Sequence, residues 1–136
     1  MNNDQTMKEI LQSAKIIATV GLSSNPEKDS YEVAQYLKEQ GYRVIPVNPT
    51  AREILGETSY PDLESVPEKI DVVQVFRKPE DVPPVVDGAI KAGAKVVWMQ
   101  EGITNEEAAQ KARAAGLQVV MDACMRETHK RLIGDQ

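Results

Sequence analysis

The sequence predicts an α/β domain in which a mainly parallel, doubly wound, five-stranded sheet has helices on both faces. One sequence motif occurs three times, around Gly41, Gly93 and Gly116. It consists of a helical stretch, a glycine and a short run rich in β-branched residues. Glycine suits the left-handed residue at which many helices end, and nearly continuous apolar runs suit strands that are covered on both faces. The 136 residues match the size of one domain, so we expect residues 1–136 to form a single one.

Five strands are expected to alternate with helices along the chain. The first is expected at Lys15 to Val20 and the third at Asp71 to Phe76, and the other three follow the glycines of the repeated motif. The segment between Pro49 and Pro67 lacks such a pattern, and we expect it to cross the sheet as a short or irregular element. Alternating units of this kind form a doubly wound sheet with right-handed crossovers.

Capping signals predict where two helices begin. Thr6 with Glu9, and Thr104 with Glu107, have the spacing of a capping box, in which each side chain bonds the other residue's backbone N–H. A final helix is expected from about Cys124 to Leu132. These helices complete the alternation with the strands.

Composition excludes several classes of function. The net charge of −5 and the sequence pI of about 4.9 argue against nucleic acid as a partner, while local donors can still hold a small anion. One cysteine rules out an intrachain disulfide. The first residues lack the pattern of a signal peptide, and no apolar run approaches the ~20 residues of a membrane span. We therefore expect a cytoplasmic protein with no membrane partner.

The loop after the first strand is the first candidate site, because ligands of open α/β sheets bind outside the carboxyl ends of strands. It contains Gly21, Ser23, Ser24, Asn25 and Lys28. The glycine allows a turn, the hydroxyl groups and the next helix's N–H groups can donate to a phosphate, and the lysine adds positive charge. An ordinary strand-to-helix loop explains these residues equally well, because neither the G-x-G-x-x-G nor the P-loop pattern is present.

The loop after the second strand contains Asn48, Pro49 and Arg52. A nicotinamide enzyme usually places Asp or Glu here to bond the ribose 2′-hydroxyl, and asparagine supplies no carboxylate. This position therefore counts against NAD as the cofactor. Arg52 could reach a phosphate, although a solvated loop charge is the slightly favoured interpretation of that residue on its own.

The third and fourth strands also lead into polar loops. Arg77 and Lys78 follow the third strand, and two adjacent cations in an acidic protein are typical of an anion clamp. Phe76, the only phenylalanine, either belongs to the core or flanks a base. After the fourth strand come Gln100, Glu101 and Gly102, where the glycine permits close backbone approach.

No catalytic arrangement can be derived from the sequence. His129 is the only histidine and is expected at the surface or at a helix end. With one histidine and one cysteine, neither a metal-ligand cluster nor a Ser-His-Asp triad can be built. Cys124 opens the final helix, and a small buried residue is its favoured interpretation. We expect no catalytic residue and no metal site.

Taken together, these strand-end residues resemble the stand-alone CoA-binding domain family. That family shares its Rossmann-like fold with the CoA-binding domain of succinyl-CoA synthetase α subunits. The resemblance extends over residues 10–132. Its motifs, in chain order, are residues 21–28, 41–49, 75–77 and 98–102, with a closing segment at 122–129.

The resemblance implies a cofactor site at the carboxyl end of the sheet. It places the first loop and Lys28 against the pyrophosphate, and Asn48, Pro49 and Arg52 near the adenosine and its phosphate. The rest of the cofactor would be bordered by Phe76, Arg77, Gln100, Glu101 and Gly102. In the synthetase the catalytic phosphohistidine lies in a further domain, which this chain is expected to lack, so the synthetase reaction is not carried over.

The favoured function is non-catalytic binding of coenzyme A or an acyl-CoA, and the identity of any protein partner is left open. Two alternatives stay open as well. One is a small NAD(P)-binding oxidoreductase, which the missing carboxylate after the second strand disfavours. The other is an interaction protein that kept the fold and lost the ligand, against which the adjacent cations Arg77 and Lys78 argue. Fold alone does not choose between these functions.

Overall fold

The computed structural model describes residues 2–134. The helices are α1 (Asp4–Ser13), α2 (Asp29–Glu39), α3 (Val82–Lys91), α4 (Glu106–Ala114) and α5 (Met125–Leu132). The strands are β1 (Ile16–Val20), β2 (Arg43–Val47), β3 (Glu53–Ile54), β4 (Glu57–Thr58), β5 (Val72–Val75), β6 (Val96–Met99) and β7 (Gln118–Val120). Two 3₁₀ turns lie at Leu63–Ser65 and Pro79–Asp81. Within residues 2–134, no helix has the length and apolar character that crossing a membrane requires.

Parallel pairing in the order β2-β1-β5-β6-β7 forms the main sheet, which confirms the predicted Rossmann-like, doubly wound architecture. Strand order reverses between β1 and β5, and this reversal is the switch point at which such sheets bind ligands. Val20 pairs with Val47 on one side and with Val75 on the other. The three strands therefore end level, and their loops start side by side. We call this end of the main sheet the carboxyl edge.

Helices cover both faces of the sheet, because successive strand side chains point to opposite faces and both sets are apolar. On one face, Ile17, Val72 and Trp98 pack under α1, α2 and α5. On the other face, Ala18 and Val73 pack under α3 and α4. This double covering explains why the strands read as nearly continuous apolar runs in the sequence.

The structure corrects both predicted capping boxes. Asn3 caps α1 by accepting from N–H groups of the first turn, the nearest at 2.8 Å, and Thr6 lies inside the helix. Asn105 caps α4, its Oδ1 accepting from the backbone N–H of Ala108 at 2.9 Å, and Thr104 precedes the cap. The amide oxygen of an extended asparagine satisfies the first turn as well as a threonine hydroxyl does, so the predicted threonine caps were wrong.

The weakly patterned segment between β2 and β5 contains a short hairpin, as an irregular element was expected there. Its strands β3 and β4 pair antiparallel around Leu55 and Gly56, whose φ angles are 55° and 77°. Ile54 is buried and anchors the hairpin in the core. A bridge between Val47 and Tyr60 then returns the chain to the sheet.

Asn105→Ala should lower the free energy of unfolding by about 1 kcal/mol or slightly more, because it removes the cap of α4. It also removes the bond from Asn105 Nδ2 to the carbonyl oxygen of Pro79, which is 2.9 Å long. Thr104→Ala is the matched control and should change stability by less than ~0.5 kcal/mol. Chemical denaturation of both variants measures the difference, and equal losses would contradict the cap at Asn105.

Candidate functional site

The loops after β1 and β5 meet where strand order reverses. Gly21 directly follows β1 with a φ of +89°, and its backbone N–H donates to the carbonyl oxygen of Val47 at 3.0 Å. A Cβ atom at position 21 would overlap the carbonyl oxygen of Phe76. Glycine is therefore needed here both for its backbone conformation and for the close approach of the two loops.

Side chains of the loop after β1 bond the loop's own backbone. Ser23 Oγ accepts from the N–H of Asn25, and Asn25 Oδ1 accepts from the N–H of Glu27, both at 3.0 Å. The N–H of Ser23 donates to Oγ of Ser30, a buried residue in the first turn of α2. Exposed Lys28 stands at the start of that helix. The loop is thus held in a defined shape beside a helix N-terminus, whose N–H groups favour anions.

Asn48 joins the loop after β2 to the loop after β1. Its Nδ2 donates to the carbonyl oxygen of Leu22 at 2.9 Å. Its Oδ1 accepts from both the N–H and the hydroxyl of Thr50, each at 2.8 Å. The side-chain amide therefore fixes two loops of the carboxyl edge in relation to each other. No local sequence signal reveals this role, because Leu22 is distant in the chain.

Four cations at the carboxyl edge have no carboxylate partner among residues 2–134. Lys28 follows β1, Arg52 follows β2, and Arg77 and Lys78 follow β5. In the same part of the chain, the cations that do form ion pairs are Arg43, Lys95, Lys111, Arg113, Arg126 and Arg131. The three neighbouring loops at the switch point therefore carry positive charge that is available to an anion.

The other half of the carboxyl edge is acidic. The loop after β6 carries Glu101, the loop after β7 carries Asp122, and neither loop contains a cation. Asp122 Oδ1 accepts from the N–H of Gly102 at 2.6 Å, which ties the two loops together. The loops after β6 and β7 thus differ from those after β2, β1 and β5 in having no cation.

A cavity of about 490 Å³ opens beside the ends of β1 and β2, and we call it the strand-end cavity. Val20, Val47, Leu63 and Val85 give it an apolar lining, and Arg77 is the predicted site residue that reaches it. Its other charged lining residues are Asp62, Glu64, Asp81, Asp87 and Lys91. No sequence signal marks this cavity, because its walls come from α3 and from the weakly patterned segment before β5.

A cavity of about 220 Å³, the smaller cavity, lies between the N-terminal ends of α2 and α5. It is lined by three of the predicted site residues, Phe76, Gln100 and Glu101. Adjacent Phe76 and Arg77 therefore line different cavities, as neighbouring residues of an extended chain point to opposite sides. The smaller cavity is also lined by Asp29, Val33, Ile103, Cys124, Arg126 and Glu127.

Gln100 belongs to a buried chain of hydrogen bonds. It is 4% exposed, and its Oε1 accepts from Gln74 Nε2 at 3.0 Å and from the N–H of Met125 at 2.9 Å. The hydroxyl of Thr19 donates to Gln74 Oε1 at 2.7 Å. This chain connects β1, β5 and β6 to the start of α5, and it fixes the wall of the smaller cavity.

The other predicted site residues divide into two groups. Gly21, Ser23 and Asn48 shape the loops through the contacts described above. The exposed group, which lies at the carboxyl edge and lines neither cavity, consists of Ser24, Asn25, Lys28, Pro49, Arg52, Lys78 and Gly102.

His129 lies in the last turn of α5, as expected of a helix-end residue, but it is buried rather than at the surface. Only 2% of it is exposed, and its Nδ1 lies 2.7 Å from the hydroxyl of Tyr36. The ring of Tyr42 meets it edge-on, and burial raises the pKa of Tyr42 to about 12. His129 packs α5 against α2 and lines neither cavity.

The sequence model of the CoA binding domain family matches residues 15–130. The chain belongs to this family. The match includes the whole main sheet and every residue of the candidate site, from Gly21 to Gly102.

Relatives of this CoA-binding domain match nearly its whole length. The uncharacterized protein YneT of Bacillus subtilis is 42% identical over 123 residues, which are 90% of this chain and 91% of YneT. A hypothetical protein from Pyrococcus horikoshii, whose structure is solved, is 47% identical and has a TM-score of 0.94. That match covers 98% of this chain and 94% of the other.

The CoA-binding domain is also similar to part of a larger enzyme. The ADP-forming acetate–CoA ligase I of Archaeoglobus fulgidus is 28% identical over 121 residues. These are 82% of this chain but only 18% of the ligase. The chain therefore spans less than a fifth of that relative.

Gly21→Ala should destabilise this CoA-binding domain more than Gly41→Ala does. Gly41 also has a positive φ, +99°, but a Cβ built there meets nothing within 4 Å. The control therefore carries only the strain of an L side chain at positive φ, about 1–2 kcal/mol, whereas Gly21→Ala must also displace the loop at Phe76, which adds ~1 kcal/mol or more. Denaturant unfolding measures both losses, and equal values would contradict the close approach of the two loops.

Proposed function

We propose that this CoA-binding domain holds coenzyme A or an acyl-CoA across its carboxyl edge without converting it. The observation that carries the proposal is the row of cations after β2, β1 and β5, which have no carboxylate partner among the described residues. Coenzyme A bears a pyrophosphate and a ribose 3′-phosphate, and lysine and arginine bind phosphate through charge-assisted hydrogen bonds. In a protein of net charge −5, local positive charge is needed to attract such a ligand.

We assign the pyrophosphate to the loop after β1. The N-terminus of α2 presents backbone N–H groups and the positive end of the helix dipole beside this loop. Gly21 keeps the loop free of a side chain at the switch point, and Lys28 and Arg77 supply charge from the two loops that meet there. Ser23, Ser24 and Asn25 complete the phosphate loop in this assignment.

The remaining site residues are assigned to the two ends of the ligand. Pro49 and Arg52 border the adenosine and its 3′-phosphate, and Asn48 positions that loop through Leu22. The pantetheine arm, which is uncharged, extends toward β6. It is bordered by Phe76, Lys78, Gln100, Glu101 and Gly102.

Binding without turnover is supported by the place of the residues that could do chemistry. His129 is buried against Tyr36, and Cys124 lines the smaller cavity without a histidine beside it among the lining residues. The acetate–CoA ligase matches this chain over only 18% of its own length, which supports a role for the matched part in holding the ligand. The single domain over residues 1–136, the cytoplasmic location and the lack of nucleic-acid and membrane partners stay predictions of the sequence.

CoA should raise the melting temperature more than NAD does. A ligand of the native state at about 100 times its Kd adds ~2.7 kcal/mol, which is several degrees for a domain of this size. NAD lacks the 3′-phosphate, and the loop after β2 has no carboxylate for its ribose. Thermal shift with CoA, acetyl-CoA, NAD, NADP and ATP at equal concentration makes the comparison. Equal or larger stabilisation by NAD would refute the CoA assignment, and no stabilisation by any of them would favour an interaction protein without a ligand.

Lys28→Ala and Arg77→Ala should each weaken CoA binding about tenfold or more, because each removes a charge-assisted bond to a phosphate. Lys15→Ala is the matched control, since exposed Lys15 lies at the opposite end of β1 and should leave the Kd unchanged. All three variants should fold, because these side chains have no ion-pair partner within residues 2–134. Titration calorimetry measures the Kd values, and the site is misplaced if all three variants bind CoA like the unchanged protein.

A further inference from the structure

The strand-end cavity disfavours phosphate, although it lies beside the loops that carry cations. Helix α3 forms one of its walls, and two of the first three residues of that helix, Pro83 and Pro84, have no backbone N–H. The N–H of Val82 donates to the carbonyl oxygen of Pro79. The charged lining residues are the carboxylates Asp62, Glu64, Asp81 and Asp87 and the cations Arg77 and Lys91. Because carboxylates outnumber cations, and because these N–H groups are missing or occupied, the cavity suits an uncharged part of a ligand.

The cavity has the size and the apolar surface of a small-molecule site. Its volume of about 490 Å³ lies within the range of ~300–1,000 Å³ that is typical of ligand pockets. Val20, Val47 and Leu63 are buried in the core below it, and half-buried Val85 packs against the same core. Half-buried Arg77 adds a planar guanidinium group. An aromatic ring can stack on such a group and bury its faces against apolar side chains.

The position of the cavity selects the adenosine among the uncharged parts of coenzyme A. This step rests on the proposed function, which assigns the pyrophosphate to Lys28 and Arg77 and the 3′-phosphate to Arg52. Arg77 lines the cavity. So does Pro61, which follows the segment in which the N–H of Ser59 donates to the carbonyl oxygen of Arg52 at 2.8 Å. The adenosine is joined to both phosphate groups, whereas the pantetheine arm is joined to the pyrophosphate alone. The uncharged group between the two phosphate positions is therefore the adenosine.

Two carboxylates of the lining are available to a base. Glu64 and Asp81 are exposed and form no ion pair among residues 2–134. In contrast, Asp87 is in an ion pair, and Asp62 Oδ1 accepts from the N–H and the hydroxyl of Ser65. A carboxylate accepts strong hydrogen bonds and cannot donate one. It therefore suits the 6-amino group of adenine and opposes a carbonyl oxygen at the same position.

We propose that the strand-end cavity holds the adenine base of the ligand, and that Glu64 and Asp81 make the site specific for a purine with a 6-amino group. Selection comes from the penalty on a base whose oxygen faces these carboxylates as much as from the bond to the right base. The carboxylates that repel phosphate from the cavity are then the groups that recognise the base.

Titration calorimetry with CoA and with its hypoxanthine analogue, in which an oxygen replaces the 6-amino group, tests the proposal on the unchanged protein. The analogue should bind about tenfold more weakly than CoA, because its base presents an acceptor where the carboxylates also accept. Equal Kd values for the two compounds would overturn the proposal.

Val85→Phe tests whether the base lies in this cavity, because the larger side chain fills space at its half-buried wall. The variant should weaken the binding of CoA about tenfold or more. It should weaken adenosine 3′,5′-bisphosphate, which lacks the pantetheine arm, by the same factor. Val66→Phe is the matched control, since half-buried Val66 packs against the same core but does not line the strand-end cavity. It should leave both Kd values unchanged.

A second variant tests the carboxylates and decides the question if thermal melting shows that Val85→Phe is not folded. Glu64→Gln combined with Asp81→Asn replaces both acceptors by amides, which can donate as well as accept. The tenfold preference for CoA over its hypoxanthine analogue should fall to about threefold or less. Glu80→Gln is the matched control, because exposed Glu80 adjoins Asp81 in the chain but does not line the cavity, and it should keep the full preference.

The outcomes separate this proposal from the proposed function. If CoA binds but its preference over the analogue survives the double variant, the carboxylates do not read the base and the proposal fails. If Val85→Phe weakens CoA but not adenosine 3′,5′-bisphosphate, the cavity holds the pantetheine arm, and the proposal fails while CoA binding stands. If neither CoA nor adenosine 3′,5′-bisphosphate binds the unchanged protein, the proposed function itself fails.

Discussion

The level ending of β2, β1 and β5 is the constraint on which the rest of the structure depends. Val20 is paired with Val47 and with Val75 at the same height, so three loops must leave the sheet within one small region. Gly21 makes this crowding tolerable, because a Cβ atom at that position would overlap the carbonyl oxygen of Phe76. The lack of a side chain at one residue thus lets the loops after β1 and β5 form a joint surface at the switch point.

Polar side chains then fix the loops that the sheet has brought together. The side-chain amide of Asn48 forms hydrogen bonds with both Leu22 and Thr50. The hydroxyl oxygen of Ser30 accepts a hydrogen bond from the backbone N–H of Ser23. Below them, Gln74 and Gln100 continue the connection from β1 to α5 through buried hydrogen bonds. Buried polar groups are tolerated only when they are satisfied, and these hydrogen bonds satisfy Gln74 and Gln100 while they connect the strands to the start of α5.

Within residues 2–134, the charged side chains in ion pairs and the cations of the carboxyl edge form two separate groups. Ion pairs away from the site, such as Lys95 with Asp71 at 3.6 Å, contribute little each because they are partly exposed to solvent. Among residues 2–134, the cations of the carboxyl edge form no ion pair, so an anion can bind them without breaking one. In an acidic protein, this local excess of positive charge makes the carboxyl edge a more favourable place for an anion than the rest of the surface.

The sequence by itself determined the strands, the parallel sheet and the loops that carry the candidate site, because apolar runs and helix-ending glycines are local signals of elements covered on both sides. It did not determine what each loop residue contacts. The partners of Asn48 and Gln100, the burial of His129 and the walls of both cavities arise only when strands pair in the order β2-β1-β5-β6-β7, which joins residues far apart in the chain. Even the helix caps were decided by backbone conformation, since Asn3 and Asn105 are extended at the positions that α1 and α4 require. The pattern of apolar residues in the sequence indicates that a face of a helix or strand is buried. Only the tertiary structure decides which side chains pack against that face.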